Sequence, residues 1–201
     1  MSTEAITFGR RDIEGDLDSA GDSVGVVVAC PPHPAFGGSR TDRRLGAVSE
    51  GLVEVGIDCL RFDYGQWDGG PGERDDTVDA ISWGIEHYDH VGVFGYSFGG
   101  SMAILAGSIT GVSLAGVSVL APSVQIAHET DLDVMAAFRS LPCDVQILYG
   151  GRDETAEWRP IVEAAKQRGC EVVEMSADHF FVGQNKAITE VVVPFFNRHI
   201  V

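Results

Sequence analysis

Six short apolar runs, each about the length of one strand, alternate along this chain with longer segments of helical period. The runs span residues 24–29, 57–62, 91–94, 114–121, 145–149 and 171–175. All but the last are rich in Val, Ile or Leu without polar alternation, as expected for strands covered on both faces. The last run is more mixed, which is typical of an edge strand. This order predicts βα units on a largely parallel sheet, and therefore an α/β fold.

The segments between the runs predict helices at 41–55, 77–87, 98–108, 155–168 and 187–199. Gly56 and Gly169 stand just beyond two of them, where a left-handed C-terminal cap favours glycine. Residues 5–18 predict one or two antiparallel edge strands, and the stretch DYGQWDGGPGERDD predicts a loop at 63–76. The segment 123–143 has room for one short helix, so we expect a minimal lid or none.

Length and charge narrow the class of protein further. The 201 residues, 44% of them hydrophobic, suffice for one core, so we predict a single domain over 1–201. The formal net charge is −16, and only two of the 14 basic side chains are lysines. Such a surface repels phosphate, which argues against nucleic acids and anionic membranes as partners. We interpret the acidity as halophile-like, because salt screening relieves the self-repulsion.

The absence of targeting segments and the spacing of the cysteines predict a protein of the reducing cytoplasm. No apolar run approaches the roughly 18 residues that a membrane helix needs, and MSTEAITFGRRDIEGD lacks the pattern of a signal peptide, so we expect a cytoplasmic protein. Cys30, Cys59, Cys143 and Cys170 are widely separated and form no CxxC pair. We therefore expect reduced, packed thiols rather than a zinc or redox site.

The stretch VFGYSFGGSM places Ser97 in a G-x-S-x-G pattern that begins at Gly95 and ends at Gly99. The pattern alone is a weak signal in a chain with 25 glycines. Its context is more specific, because a predicted strand ends before it and a predicted helix begins at Phe98. The glycines permit the tight turn that lifts a nucleophilic serine above the sheet edge. The Phe98 N–H is then aimed at a developing oxyanion.

A serine hydroxyl needs a base to take its proton and a carboxylate to hold that base. Asp153 follows the run 145–149, and His179 follows the run 171–175. Both side chains are therefore expected at the same sheet edge as Ser97. The order serine, acid, histidine is the one expected for this architecture.

Other residues compete for these roles. Glu154 and Asp178 are alternative acids, but Asp153 is preferred because a carboxylate adjacent in sequence to the histidine usually points elsewhere. His33 lies at the same edge and is assigned to shaping the site. The remaining histidines are predicted to lie at a helix end or on the surface: His87, His90, His128 and His199.

The loop CPPHPAFGGSR follows the first buried run and is placed to supply a second oxyanion donor. Pro34 has no N–H, so the donor is predicted to be Ala35 or, alternatively, Phe36. Four aromatic side chains are candidates for an apolar wall around the substrate: Phe36, Tyr64, Trp67 and Tyr96. Core packing is an equally good interpretation of them.

Together, GYSFGGSMA, HPAFGGSRTDRR, LYGGRDE and ADHFF resemble the α/β-hydrolase superfamily, specifically its small, nearly lidless, dienelactone-hydrolase-like members. The resemblance implies about eight mostly parallel strands flanked by helices, with Ser97 as nucleophile, Asp153 as acid and His179 as base. The loop RFDYGQWDGGPGE departs from the family pattern, since Gly65 and Gly70 stand where an arginine and a serine are usual. Dienelactone is not the expected substrate, because its hydrolases use a cysteine nucleophile and no cysteine occupies the elbow.

These features predict a serine hydrolase that cleaves a small-molecule carboxylic ester through an acyl-enzyme, with no metal or organic cofactor. Thioesterase, amidase or peptidase, and acyltransferase activities use the same triad and stay open. A non-catalytic binding module on the same fold is the alternative from another class. The apolar segment ITEVVVPFFNRHIV predicts either packing on the sheet or a homodimer contact.

Overall fold

The computed structural model describes residues 2–126 and 130–201, so the prediction for His128 lies outside the described residues. The strands are β1 Ser2–Phe8, β2 Ile13–Ser19, β3 Gly25–Cys30, β4 Asp58–Phe62, β5 His90–Tyr96, β6 Gly116–Leu120, β7 Val145–Gly150 and β8 Glu171–Met175. The α-helices are α1 Arg43–Glu54, α2 Pro71–His87, α3 Phe98–Ile109, α4 Val134–Ser140, α5 Arg159–Arg168 and α6 Asn185–Ile200. A short 3-10 helix spans Pro34–Phe36.

The eight strands form one sheet in the order β1-β2-β4-β3-β5-β6-β7-β8. β2 pairs antiparallel with both of its neighbours, β1 and β4. All further pairs along the sheet, from β4-β3 to β7-β8, are parallel. The predicted mostly parallel α/β sheet is confirmed, with the two antiparallel strands at one edge and β8 at the other. The parallel strands direct their carboxyl ends to one edge, where any site built from the following loops must lie.

Helices cover both faces of the sheet. One face carries α2, α3, α4 and α5, and the other carries α1 and α6. Gly92 of β5 and Gly116 of β6 lie side by side beneath α6. A Cβ atom at Gly92 would lie 2.6 Å from Phe196, and one at Gly116 would lie 2.9 Å from Phe195. The missing side chains therefore form the groove that receives α6, whose apolar residues pack on the sheet as one of the two interpretations predicted. The homodimer contact stays a prediction.

Two helices begin four or more residues from their predicted starts, whereas α1 and α6 begin within two residues of theirs. α2 begins at Pro71, inside the predicted loop, because proline is favoured at the first helical position and Glu73 accepts hydrogen bonds from Gly70 N at 2.7 Å and Asp68 N at 2.8 Å. α5 begins at Arg159 instead of residue 155, since Asp153 holds the N–H groups of the intervening residues in a turn.

The segment between β6 and β7 is short, and its described residues form one helix, α4. Val134 and Phe138 of α4 are buried in the core, so α4 packs against the body of the domain rather than over the sheet edge. This arrangement matches the prediction of a minimal lid. Among the described residues, none of the helices is long and apolar enough to cross a membrane.

All four cysteines are free thiols. Cys30 and Cys59 are fully buried in the core, where burial raises the pKa of the Cys59 thiol to about 12 and that of Cys30 further. Both stay protonated at neutral pH and pack as small apolar side chains, as predicted.

Candidate active site

Ser97 occupies the turn between β5 and α3, with φ 55° and ψ −120°. Such a conformation costs a non-glycine residue about 1–3 kcal/mol and persists only where the surroundings enforce it. Here the Ser97 N–H donates to Leu120 O of β6 at 2.8 Å. Added Cβ atoms would lie 2.2 Å from Gly99 O at Gly95 and 2.2 Å from Cys30 O at Gly99. Both glycines of the G-x-S-x-G pattern are therefore required, because the backbone packs too closely at Gly95 and Gly99 for any side chain.

The three predicted triad residues lie together at the carboxyl edge of the sheet. Ser97 Oγ is 2.9 Å from His179 Nε2, and His179 Nδ1 is 2.7 Å from Asp153 Oδ2. Asp153 and His179 are buried beneath the surface, whereas Ser97 is partly exposed. A proton on Nδ1 that is donated to Asp153 leaves Nε2 free to accept the serine proton.

The carboxylate of Asp153 is fixed by a second set of hydrogen bonds. Its Oδ1 accepts from Thr155 N at 2.8 Å and Ala156 N at 3.0 Å, which leaves Oδ2 for His179. The two alternative acids are elsewhere: Glu154 is exposed, and Asp178 Oδ1 accepts from Phe180 N at 3.0 Å. Asp153 is thus the acid in contact with His179.

The Phe98 N–H begins α3 and has no hydrogen-bond partner among the residues that the structure describes. It is free to bind an oxyanion formed at Ser97. The other predicted donors are occupied: Ala35 N donates to His33 Nδ1 at 3.2 Å, and Phe36 N donates to His33 O at 3.1 Å. In this conformation neither N–H is free, and the assignment of Ala35 or Phe36 as the second oxyanion donor stays a prediction. Ala35 becomes a donor only if it exchanges His33 for a substrate oxygen.

Two of the four predicted wall residues face solvent. Phe36 is 87% exposed and Trp67 is 39% exposed. The His33 ring joins them to the elbow, with its centroid 4.8 Å from Phe36, 4.4 Å from Trp67 and 4.8 Å from Phe98. These rings form an aromatic wall that runs from the residue after Ser97 out to the surface.

The other two predicted wall residues are buried, which favours the alternative interpretation of core packing. Tyr64 packs edge-on against Phe98 in the core, and its hydroxyl donates to Pro31 O at 3.2 Å. Tyr96 lies beneath the site, and its hydroxyl donates to His179 O at 2.9 Å. Their rings support the residues around Ser97 from below.

Two exposed apolar residues close to His179 in the chain were not predicted as part of the site. Phe180 and Val182, which follow His179, are 57% and 84% exposed. A groove of about 380 Å³ lies between these residues and the start of α1. The available signal was ADHFF, where two aromatic residues follow the histidine.

Metal binding has no obvious place in the described part of the chain, since no three His, Cys, Asp or Glu side chains there are grouped as ligands would be. The ring nitrogens of His179 both make hydrogen bonds within the triad.

Comparison with protein-family profiles and with curated proteins finds no match. Solved structures with a similar fold are numerous. An α/β serine hydrolase without lid from Xanthomonas campestris has a TM-score of 0.82 and 20% identity, covering 100% of this chain and 96% of that one. Est1E from Butyrivibrio proteoclasticus has a TM-score of 0.80 and 18% identity, with coverage of 100% and 99%. Dienelactone hydrolase from Anabaena variabilis has a TM-score of 0.80 and 19% identity, covering 100% of this chain and 99% of that one.

Proposed function

Because the chain has the α/β-hydrolase fold, we propose that it is a serine hydrolase that cleaves small carboxylic esters through an acyl-enzyme. The continuous hydrogen-bonded chain from Ser97 Oγ through His179 to Asp153 supports this proposal. A binding module has no need of a strained serine turn, which costs folding free energy and orients one hydroxyl. The intact glycines at Gly95 and Gly99 favour the enzyme for the same reason.

In the proposed reaction, Ser97 Oγ forms a bond to the carbonyl carbon as its proton passes to His179 Nε2. The carbonyl oxygen becomes an oxyanion that accepts from Phe98 N–H. Collapse of this intermediate breaks the bond to the alcohol oxygen, which takes the proton from His179. Water then attacks the acyl-enzyme with His179 as base, releasing the acid and restoring the Ser97 hydroxyl. Asp153 holds the ring and stabilises its cationic form throughout.

Ala35 supplies the second oxyanion donor in this proposal. Its N–H is held at 3.2 Å by His33 Nδ1, a neutral acceptor that is weaker than an oxyanion. Burial lowers the pKa of His33, which keeps the ring neutral and able to accept from Ala35 when the site is empty. Binding of substrate exchanges one acceptor for the other.

The side chains around Ser97 favour esters with an apolar acyl or alcohol group. Phe36 and Trp67 are exposed on either side of the His33 ring, and the exposed Phe180 ring lies 5.7 Å from the His179 ring. The net charge of −16 disfavours anionic substrates at low salt. Thioesters, amides and acyl transfer to an alcohol use the same groups and are distinguished by product analysis with each substrate.

Intact mass after treatment with a fluorophosphonate tests the proposal, in molar KCl and in dilute buffer. We expect one adduct on the wild type and on Ser82→Ala, a matched control that removes an exposed α2 serine. Ser97→Ala is expected to give no adduct and to lower ester kcat by roughly 10⁶-fold. Folded wild-type protein without an adduct in either salt contradicts the enzyme and favours the binding module.

A further inference from the structure

The loop that carries His179 is held by side chains from two other elements. Two consecutive carbonyl groups of this loop accept hydrogen bonds: His179 O from Tyr96 Oη at 2.9 Å, and Phe180 O from Arg44 Nη1 at 2.7 Å. Arg44 lies in the first turn of α1, far from His179 in the sequence. The ring of His179 thus depends for its position on contacts outside the triad.

Arg44 and Tyr96 also contact each other. Arg44 Nη1 is 3.3 Å from Tyr96 Oη, and the guanidinium carbon lies 4.1 Å from the centre of the Tyr96 ring. The tyrosine hydroxyl therefore donates to His179 O and accepts from Arg44. Burial raises the pKa of Tyr96 to about 12, so the hydroxyl keeps its proton at neutral pH. Both hydrogens of Arg44 Nη1 and the Tyr96 hydroxyl proton therefore have an acceptor.

The guanidinium is itself held in one orientation. Arg44 Nε donates to Asp42 Oδ1 at 2.8 Å, and Nη2 contacts the other oxygen of the same carboxylate. Asp42 also caps α1 by accepting from Arg44 N at 2.9 Å. A bidentate pair of this kind fixes a planar group more firmly than a lysine contact can. The rigid start of α1 thereby positions the donor that reaches Phe180 O.

The same contacts join the base to the nucleophile. Tyr96 directly precedes Ser97 in the elbow, so its hydroxyl links the turn that carries the serine to the loop that carries the histidine. The distance between Ser97 Oγ and His179 Nε2, 2.9 Å, is set by how these two segments are held. Misplacement by about 1 Å can cost about 10²-fold in rate.

We propose that Arg44 is a positioning residue for the reaction, which, through Tyr96 and the Phe180 carbonyl, holds His179 within hydrogen-bond reach of Ser97. This inference rests on the proposed function. It assigns to α1 a role in proton transfer and leaves substrate binding to the aromatic wall.

The test compares kcat and KM for a p-nitrophenyl ester, with kcat expressed per fluorophosphonate-reactive site so that misfolded protein does not count. For Arg44→Met we expect kcat to fall roughly 10- to 100-fold while KM changes less than about threefold. Arg44→Lys keeps a cationic donor and is expected to recover part of the loss. Tyr96→Phe removes only the hydroxyl and is expected to lower kcat about tenfold. Arg43→Met, the adjacent exposed arginine, is the matched control and should stay within about twofold of the wild type.

Wild-type labelling separates this inference from the proposed function, since a wild type that does not react contradicts the function itself. With a reactive wild type, a folded Arg44→Met variant whose kcat is unchanged overturns the positioning role. A change in KM with kcat unchanged overturns it as well. So does a loss of kcat in Arg43→Met equal to that in Arg44→Met. Where Arg44→Met does not fold, Tyr96→Phe decides, and an unchanged kcat in that variant refutes the inference.

Discussion

Replacing Asp153 with asparagine should abolish most activity through the tautomer of His179 rather than through loss of the fold. Asp153 Oδ1 accepts from two backbone N–H groups, those of Thr155 and Ala156. In the variant the amide oxygen must take this place, because the alternative orientation sets an NH₂ group against two donors. Leaving two buried donors unpaired costs about 1–3 kcal/mol each, so the oxygen is held there by roughly 2–6 kcal/mol.

The amide NH₂ then faces His179 Nδ1, which must become the acceptor. The ring proton moves to Nε2, where it points at Ser97 Oγ and cannot receive the serine proton. The same exchange in a Ser-His-Asp protease lowers kcat by about 10⁴, which corresponds to about 5.4 kcal/mol of transition-state stabilisation. We expect a loss of this size here.

The assay measures kcat for a p-nitrophenyl ester with wild type, Asp153→Asn and Glu154→Gln, with thermal melting to check that each variant folds. Glu154→Gln is the matched control, since it makes the same chemical change at the adjacent, exposed residue. A folded Asp153→Asn variant that retains more than about a tenth of wild-type kcat refutes the orientation argument.

Three stability predictions follow from the charge distribution and the sheet. If the acidic surface is adapted to salt, the melting temperature rises with KCl concentration, and a flat response contradicts that interpretation. Burial alone would raise the pKa of Asp18, but hydrogen bonds from Arg61, Ser49 and Thr3 lower this pKa in the folded protein. Ionised Asp18 therefore stabilises the fold at pH values above the unfolded pKa of about 3.9. In urea unfolding, Asp18→Asn should therefore be destabilised at neutral pH, with a difference that shrinks as pH falls through the folded pKa; a constant difference contradicts this. Gly92→Ala is expected to lose about 1–3 kcal/mol by forcing Phe196 aside, whereas Gly46→Ala on α1, with open space around it, should not destabilise.

The order of strands and helices was predictable because the buried strands are short runs dominated by apolar residues and bounded by glycine, proline or polar residues. That order alone brings the ends of β5, β7 and β8 to one edge, which is why Ser97, Asp153 and His179 could be named before their distances were known. The start of α2 was missed because its signal lies in Pro71 and Glu73 within a stretch rich in glycine and acid.

The remaining features depend on side-chain contacts between distant parts of the chain. Whether a tyrosine near the site faces substrate or core is decided by its partner, such as Pro31 O for Tyr64. The occupied state of Ala35 N–H depends on a rotamer of His33. Arg44 and Phe180 are 136 residues apart in the sequence, and no local sequence pattern predicts the hydrogen bond between them.

Gly99 has a consequence beyond permitting the elbow. A Cβ atom there would lie 2.2 Å from Cys30 O and 2.4 Å from Pro31 O, at the point where β3 gives way to the loop that carries Ala35. The first turn of α3 therefore rests on the base of that loop, and the bare glycine sets the width of the cleft between them. Any side chain at this position must push the first turn of α3 away from Cys30 O and Pro31 O, which widens the gap between the Phe98 and Ala35 amides. The turn that carries Ser97 and the loop that carries Ala35 are therefore in direct backbone contact, so a shift of one must displace the other.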